Sequence, residues 1–149
     1  MSVKSWLKEF YPVDCDDASI KTNLQAVQHS LQKWRGLTQE QLQKHRVDVK
    51  MTDRWRSGRL LSGRSNIVGL QINDQSCSLC QKHSYSGNCK ACPISRVTGR
   101  RCDQKTYDPT KDVWKSPWHE FQDNCNPAPM IAVLERTEAH LLKERKRKR

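Results

Sequence analysis

Five of the seven cysteines fall between Cys77 and Cys102, and four of them form two Cys-x2-Cys pairs, Cys77/Cys80 and Cys89/Cys92. A tight Cys-x2-Cys turn presents two sulfurs on one side of a backbone bend. Two such turns can close the tetrahedron that zinc prefers, with Zn–S near about 2.3 Å. The intervening "QKHSYSGN" contains Gly and Asn, which suit a chain that must double back. Neighbouring Lys82, Lys90, Arg96, Arg100 and Arg101 offset the charge of a tetrathiolate and favour deprotonated sulfur. The expected ligands are Cys77, Cys80, Cys89 and Cys92, with Cys102 and His83 as substitutes, and the expected cofactor is Zn2+. An iron–sulfur cluster is the alternative, since it also takes four cysteines. Redox catalysis has less support, because the pairs lack the βαβ context of thioredoxin-like folds.

Composition bounds the setting of that chemistry. Of 149 residues, 35% are hydrophobic and 29% charged, so the core is small and the "CSLC…RRC" segment is too polar to fold by burial alone. Metal binding would supply the missing folding free energy. No apolar run reaches the roughly 18 residues of a membrane span. The start, "MSVKSWLKEFYPVDCDD", has charges and a proline where a signal peptide carries its apolar stretch. A cytoplasmic, membrane-free protein is expected, and in that compartment thiols stay reduced. Cys15 and Cys125 stand apart from the cluster and read as ordinary small residues.

The net charge of +11 is concentrated in three blocks, 44–65, 80–105 and 143–149, separated by neutral or acidic stretches. Phosphate neutralisation needs Lys and Arg, and counterion release drives the binding. In "DRWRSGRLLSGR", Trp55 is interleaved with Arg54, Arg56, Arg59 and Arg64, a pattern that lets guanidiniums and an aromatic face meet one strand. Arg96, Arg100 and Arg101 lie beside the metal site, and Arg145, Lys146 and Arg147 lead the basic tail. DNA or RNA is the expected partner, without base specificity.

Other chemistry finds little footing. "HEF" at His119–Phe121 lacks the second histidine of H-E-x-x-H, and the five histidines, His29, His45, His83, His119 and His140, are scattered. No G-x-S-x-G and no phosphate-binding loop occurs. The chain is expected to be non-catalytic, with a metal-dependent nuclease acting through His119 as the remote alternative. Tyr107, Trp114, Trp118 and Phe121 form an aromatic-rich acidic stretch that supports the alternative reading, a protein-interaction module that inhibits or redirects a host enzyme.

The positioning elements follow from periodicity. Ile20, Leu24, Val27, Leu31 and Trp34 recur at helical spacing, so 16–36 is expected to be a helix capped by Asp16 or Asp17 and ended by Gly36 at positive φ. Thr38 with Gln41 opens a second helix, completing a hairpin over 16–45. Residues 46–73 alternate with period two and read as an antiparallel meander. Ser116–Pro117 starts a short helix through "PWHEFQ", and Pro129 starts the last, over 129–142. The expected fold class is α+β: an N-terminal helical hairpin, a short antiparallel meander, a zinc knuckle or ribbon-like module over 76–105, and a C-terminal helix. This makes one domain over 1–142, with 143–149 as a basic tail that frays into solvent.

The pieces "LQKWRGLTQEQLQKHRV", "SCSLCQKH", "CKACPI", "SPWHEF" and "PAPMIAVLE", in that order across residues 31–135, resemble small proteins of tailed bacteriophages and prophages. The resemblance implies a phage-type accessory or regulatory protein, working in the bacterial host cytoplasm and built around a metal-binding cysteine cluster. It implies no reaction and no catalytic residues.

Overall fold

Helix α1 (Val3–Phe10) precedes the first element expected from periodicity. Ser2 and Ser5 cap it reciprocally, and Trp6 and Phe10 bury one face at helical spacing. Pro12 and the run of charges around it mask this short amphipathic pattern in the sequence. Helix α2 (Asn23–Arg35) starts later than expected, because Thr22 and Gln25 form its capping box, not Asp16 or Asp17. Asp14 and Asp17 serve turns instead: Asp14 Oδ1 accepts from Cys15 N, and Asp17 Oδ1 from Ser19 N. Helix α3 (Gln39–His45) is capped by Thr38 as expected and ends on Arg46 at φ 55°. The structure is a computed structural model that describes residues 2–51, 58–62, 65–73, 76–84 and 89–148.

The Gly36 expectation is corrected. Its φ is −74°, an ordinary right-handed value, so positive φ is not why glycine stands there. A Cβ at this position would lie 2.5 Å from Phe10 Cγ and 2.8 Å from Trp6 Cζ2. Gly36 lets α1 cross the end of α2 at close quarters, and its carbonyl accepts from Trp6 Nε1 at 2.8 Å.

The meander forms as expected. Strands β1 (Val47–Met51), β2 (Gly58–Ser62) and β3 (Ser65–Ile72) pair antiparallel in the order β1-β2-β3. Val47 is buried while Asp48 and Lys50 face solvent, the period-two pattern of a one-sided sheet. Register shifts opposite Leu60–Ser62 leave extra residues on β3, the pattern of a β-bulge.

After the sheet the chain departs from expectation. The described part of 76–105 has turns and helix in place of ribbon strands: a wide π-type turn at Cys80–Ser84, a 3-10 turn at Cys89–Ala91, and helix α4 (Pro93–Thr98). Gly99, at φ 76°, closes α4, a conformation that favours glycine. A hairpin that periodicity did not signal follows, β4 (Thr106–Asp108) with β5 (Val113–Lys115). Three-residue strands are too short for alternation to show. Helix α5 (Pro117–Asn124) is capped by Ser116 as expected.

Helix α6 (Ala128–Arg147) runs past residue 142, so the basic run is helical as far as Arg147. Lys and Arg are good helix formers, and cations in the last turn complement the helix dipole. The core gathers Trp6, Val27, Leu31, Trp34, Leu60, Ile72, Leu79, Phe121 and Leu134 from both ends of the chain. Mixed helix and antiparallel sheet places the fold in the α+β class. Among the described residues no helix is long and apolar enough to cross a membrane.

Candidate metal centre and its surroundings

Helix α2 builds the floor of the cysteine region. Its Val27, Leu31 and Trp34 face the apolar core, and a second stripe, Ala26, Ser30 and Lys33, is also buried. This stripe docks the segment that carries the first cysteine pair. Ser78 Oγ donates to the Ala26 carbonyl at 2.7 Å, Ser30 Oγ lies 3.9 Å from Cys77 Sγ, and Lys33 Nζ donates to both the carbonyl (3.1 Å) and the hydroxyl (3.2 Å) of Ser76. Small residues at 26 and 30 let the turn that carries Ser76 and Ser78 lie close, and the lysine reaches past them.

A cavity of about 330 Å³ opens above this floor. Cys77, Cys80, His83, Cys89, Cys92 and Cys102 all line it, together with Lys33, Arg101 and Trp118. All six residues singled out as ligands or substitutes are therefore brought to one place. Cys77 and Cys80 lie close enough for each to shift the other's thiol equilibrium. Among the described residues no three His, Cys, Asp or Glu side chains are close enough together to hold an ion in this arrangement. His83 Nε2 is bonded to Asn23 Oδ1 at 3.0 Å, which turns it toward α2.

Electrostatics distinguish the thiols. The Cys80 thiol, hydrogen-bonded to Cys77, holds the latter below the ordinary thiol range, aided by the Lys33 charge and the backbone N–H groups of Cys80 and Leu79, against burial. The same hydrogen bond, with burial, pushes Cys80 up. Burial pushes Cys92 up to about 11 and Cys102 higher still.

Lys33 is the residue that sequence reasoning passed over. It is 1% exposed, and burial pulls its ammonium below the usual lysine range while negative charge on Cys77, Cys80, Cys15 and Cys102 opposes that shift. It makes no ion pair with a carboxylate among the described residues; its contacts are Ser76 and the Trp34 ring, 5.6 Å from Nζ. A buried ammonium is costly without a compensating anion, and the cysteines are the groups placed to supply it. The spacing of Ala26, Ser30 and Lys33 was a signal for a second helical face, but nothing in sequence shows that a lysine on it is buried. Cys15, read as an ordinary residue, is buried close enough for its charge to bias Lys33. Cys125 is exposed in a separate groove with Gln39, Leu42 and Val47.

The basic residues divide. Arg54, Trp55, Arg56 and Arg64 lie outside the described residues, while Arg59 is exposed on β2. Arg96, Arg100 and Arg101 are exposed beside the cavity, and Arg145, Lys146 and Arg147 are exposed on the last turns of α6. Helix α4 packs along α6, with Arg96 Nη2 3.9 Å from Glu144 Oε1. Two of the three basic blocks thus share one side of the molecule.

The aromatic stretch also divides. Phe121 is fully buried, edge-on to Trp34 at 4.8 Å between ring centroids, and Trp118 is half-buried against the same ring. Tyr107 and Trp114 are exposed. His119 Nδ1 is 2.6 Å from the capping hydroxyl of Ser116, and Glu120 pairs with Lys115 at 2.9 Å, so "HEF" is tied into the start of α5. One further constellation joins α1 to α3: Ser5 Oγ lies 2.8 Å from His45 Nδ1, whose Nε2 is 2.7 Å from Glu9 Oε2. The Ser5 hydroxyl also serves the α1 capping box and donates to the Ser2 carbonyl, so the three side chains act as a staple between helices.

Against known proteins, no family model, no curated protein and no solved structure matches this chain.

Proposed function

We propose that this chain is a zinc-thiolate protein that binds nucleic acid through an arginine- and lysine-rich side, without catalysis, as an accessory or regulatory factor of the tailed-phage type in a bacterial cytoplasm. The observation that carries the metal half is the buried Lys33 ammonium set against a cavity lined by five cysteines, with no carboxylate partner among the described residues. Thiolates on a metal supply lasting negative charge to that ammonium; neutral thiols do not. Cys77 and Cys80 already bias each other's thiols, and the 330 Å³ cavity leaves room for Cys89, Cys92 or Cys102 to draw in. An iron–sulfur cluster would meet the same charge requirement.

The packing of α4 on α6, which joins Arg96, Arg100 and Arg101 to the side that carries Arg145–Arg147, supports the nucleic-acid half. Such a surface attracts a polyanion with strong salt dependence. A second reading, a module that binds a host protein, draws on the exposure of Tyr107 and Trp114.

Metal analysis with thiol counting on anaerobically purified protein tests the first half. About one zinc per chain is expected, with roughly four thiols protected until a chelator is added. Full reactivity of the clustered thiols with no bound metal would sink it. For the second half, replacing Arg96, Arg100 and Arg145 by Ala is expected to weaken oligonucleotide binding and flatten its salt slope by about two to three; an unchanged slope would remove this surface from the proposal.

A further inference from the structure

The aromatic rings of this chain are buried or half-buried among the described residues, apart from two. Trp114 is 65% and Tyr107 47% exposed, and they are cross-strand partners on the β4–β5 hairpin. Their ring centroids are 5.4 Å apart at an interplanar angle of 45°. The pair is held in place from below. Tyr107 Oη donates to Asp112 Oδ1, and Asp112 takes φ 52° in the turn, a left-handed conformation that Asp tolerates better than most residues. Asp108 Oδ1 fixes the other side of the turn by accepting from the N–H and the hydroxyl of Thr110. At its root the hairpin is closed on the cysteine region, where Trp118 N donates to the Cys102 carbonyl at 3.0 Å.

A hairpin this small gains no core by displaying two of the largest side chains to water, and the turn chemistry orients them instead of covering them. Their surroundings select the partner. Of the three carboxylates of the segment, Asp103 pairs with Arg101 at 3.3 Å, while Asp108 and Asp112 keep their charge and are tied into the turn by Thr110 and Tyr107. Lys105 and Lys111 are exposed at the two ends of the hairpin and make no ion pair among the described residues, and exposed Arg100 and Arg101 lead into it. A protein anchor is set in a wider apolar, desolvated interface core inside a polar rim. Among the described residues the one other exposed large hydrophobic is Val13, far away in sequence. Flat rings flanked by exposed cations match unpaired bases on a phosphate chain.

We infer that Trp114 and Tyr107 form a stacking platform for single-stranded nucleic acid. This rests on the nucleic-acid reading and adds to it the strandedness of the ligand and the place where bases are held. The platform sits on the Cys102 root, so the cysteine cavity sets its direction relative to Arg96 of α4.

The test uses the full chain, metal-loaded as purified, with a mixed-sequence single-stranded oligonucleotide and its duplex as probes, titrated at several salt concentrations. Trp114→Ala is expected to lower single-strand affinity by about 5- to 100-fold, with the salt slope and the duplex affinity unchanged. Trp114→Phe should restore most of the loss, and quenching of indole fluorescence by the single strand should vanish in Trp114→Ala. Because both rings are exposed, the variants should melt like the parent. Wild-type binding with unchanged affinity in Trp114→Ala and Tyr107→Ala would overturn the platform alone and leave the pair to a protein partner. A wild-type chain that binds neither probe at low salt would overturn the nucleic-acid reading and the platform together.

Discussion

Helix α2 serves two neighbourhoods that are built on different physics. Toward α1 and α5 it meets rings: Trp34 lies edge-on to Phe121, and Trp6 and Phe10 sit together at 5.5 Å where α1 crosses the end of α2 at Gly36. Toward the cysteine segment it offers Ala26, Ser30 and Lys33, and what meets them is serine, backbone carbonyl and sulfur. The aromatic side is stabilised by area removed from water, a force that needs only the right sizes in the right places. The sulfur side has little such area and places an ammonium out of water, so its stability depends on what charge the cysteines carry. One helix thus joins a self-sufficient half to a conditional one.

Truncation on the aromatic side should have the largest effect. Trp6→Ala removes a fully buried indole and its hydrogen bond to the Gly36 carbonyl, and is expected to cost about 3–5 kcal/mol in urea unfolding, with or without a chelator present. A cost that appeared only in the presence of metal would break the distinction between the two halves.

Lys33→Met probes the other side. It keeps the stem and removes the charge, so with a metal thiolate in place it should lower metal affinity by about 10- to 100-fold, read by competition with a chromogenic chelator. If the variant is instead more stable and binds metal unchanged, the seam carries no anion, because replacing a buried charge by an apolar group of like shape is then favourable.

A smaller effect is expected at the junction. Gly36→Ala forces a Cβ into the Phe10 and Trp6 rings and should destabilise by about 1–3 kcal/mol while leaving metal content unchanged. An Ala tolerated without loss would show that α1 can shift away from α2.

The mildest effect is pH-linked. The hydrogen bond from His45, then that from Lys44, holds the Glu9 carboxyl below the usual range. A lowered carboxylate contributes stability above its unfolded value, about 4.3, and loses it as pH falls through the lower folded value. Acid titration of the melting temperature should therefore show a small drop below about pH 4 that Glu9→Gln removes. A drop that survives in the variant would assign it to other carboxylates.

The legible parts of this chain were those whose signal is local. Thr38 and Ser116 cap the helices that their spacing announces, and Val47, Val49 and Met51 alternate as a half-buried strand must. The two Cys-x2-Cys pairs marked a cavity where, among the described residues, five cysteines gather. Less was legible where elements were short: α1 hides behind charges, and β4–β5 is too brief to show a period. Gly36 was noticed for the wrong reason, since crowding by another helix leaves no trace in the residues beside it.

By itself, then, the sequence determined helices α2, α3, α5 and α6, the meander, the cysteine pairs and the blocks of charge, because capping, periodicity and ligand spacing act over a few residues. Only the tertiary structure decided that Lys33 is buried against those cysteines, that Phe121 is core while Trp114 faces water, and that α4 lies along α6. Those outcomes depend on which faces meet across 40 or more residues, as Lys33 meets Ser76 and Ser78 meets Ala26, and burial and charge compensation are settled only where they meet.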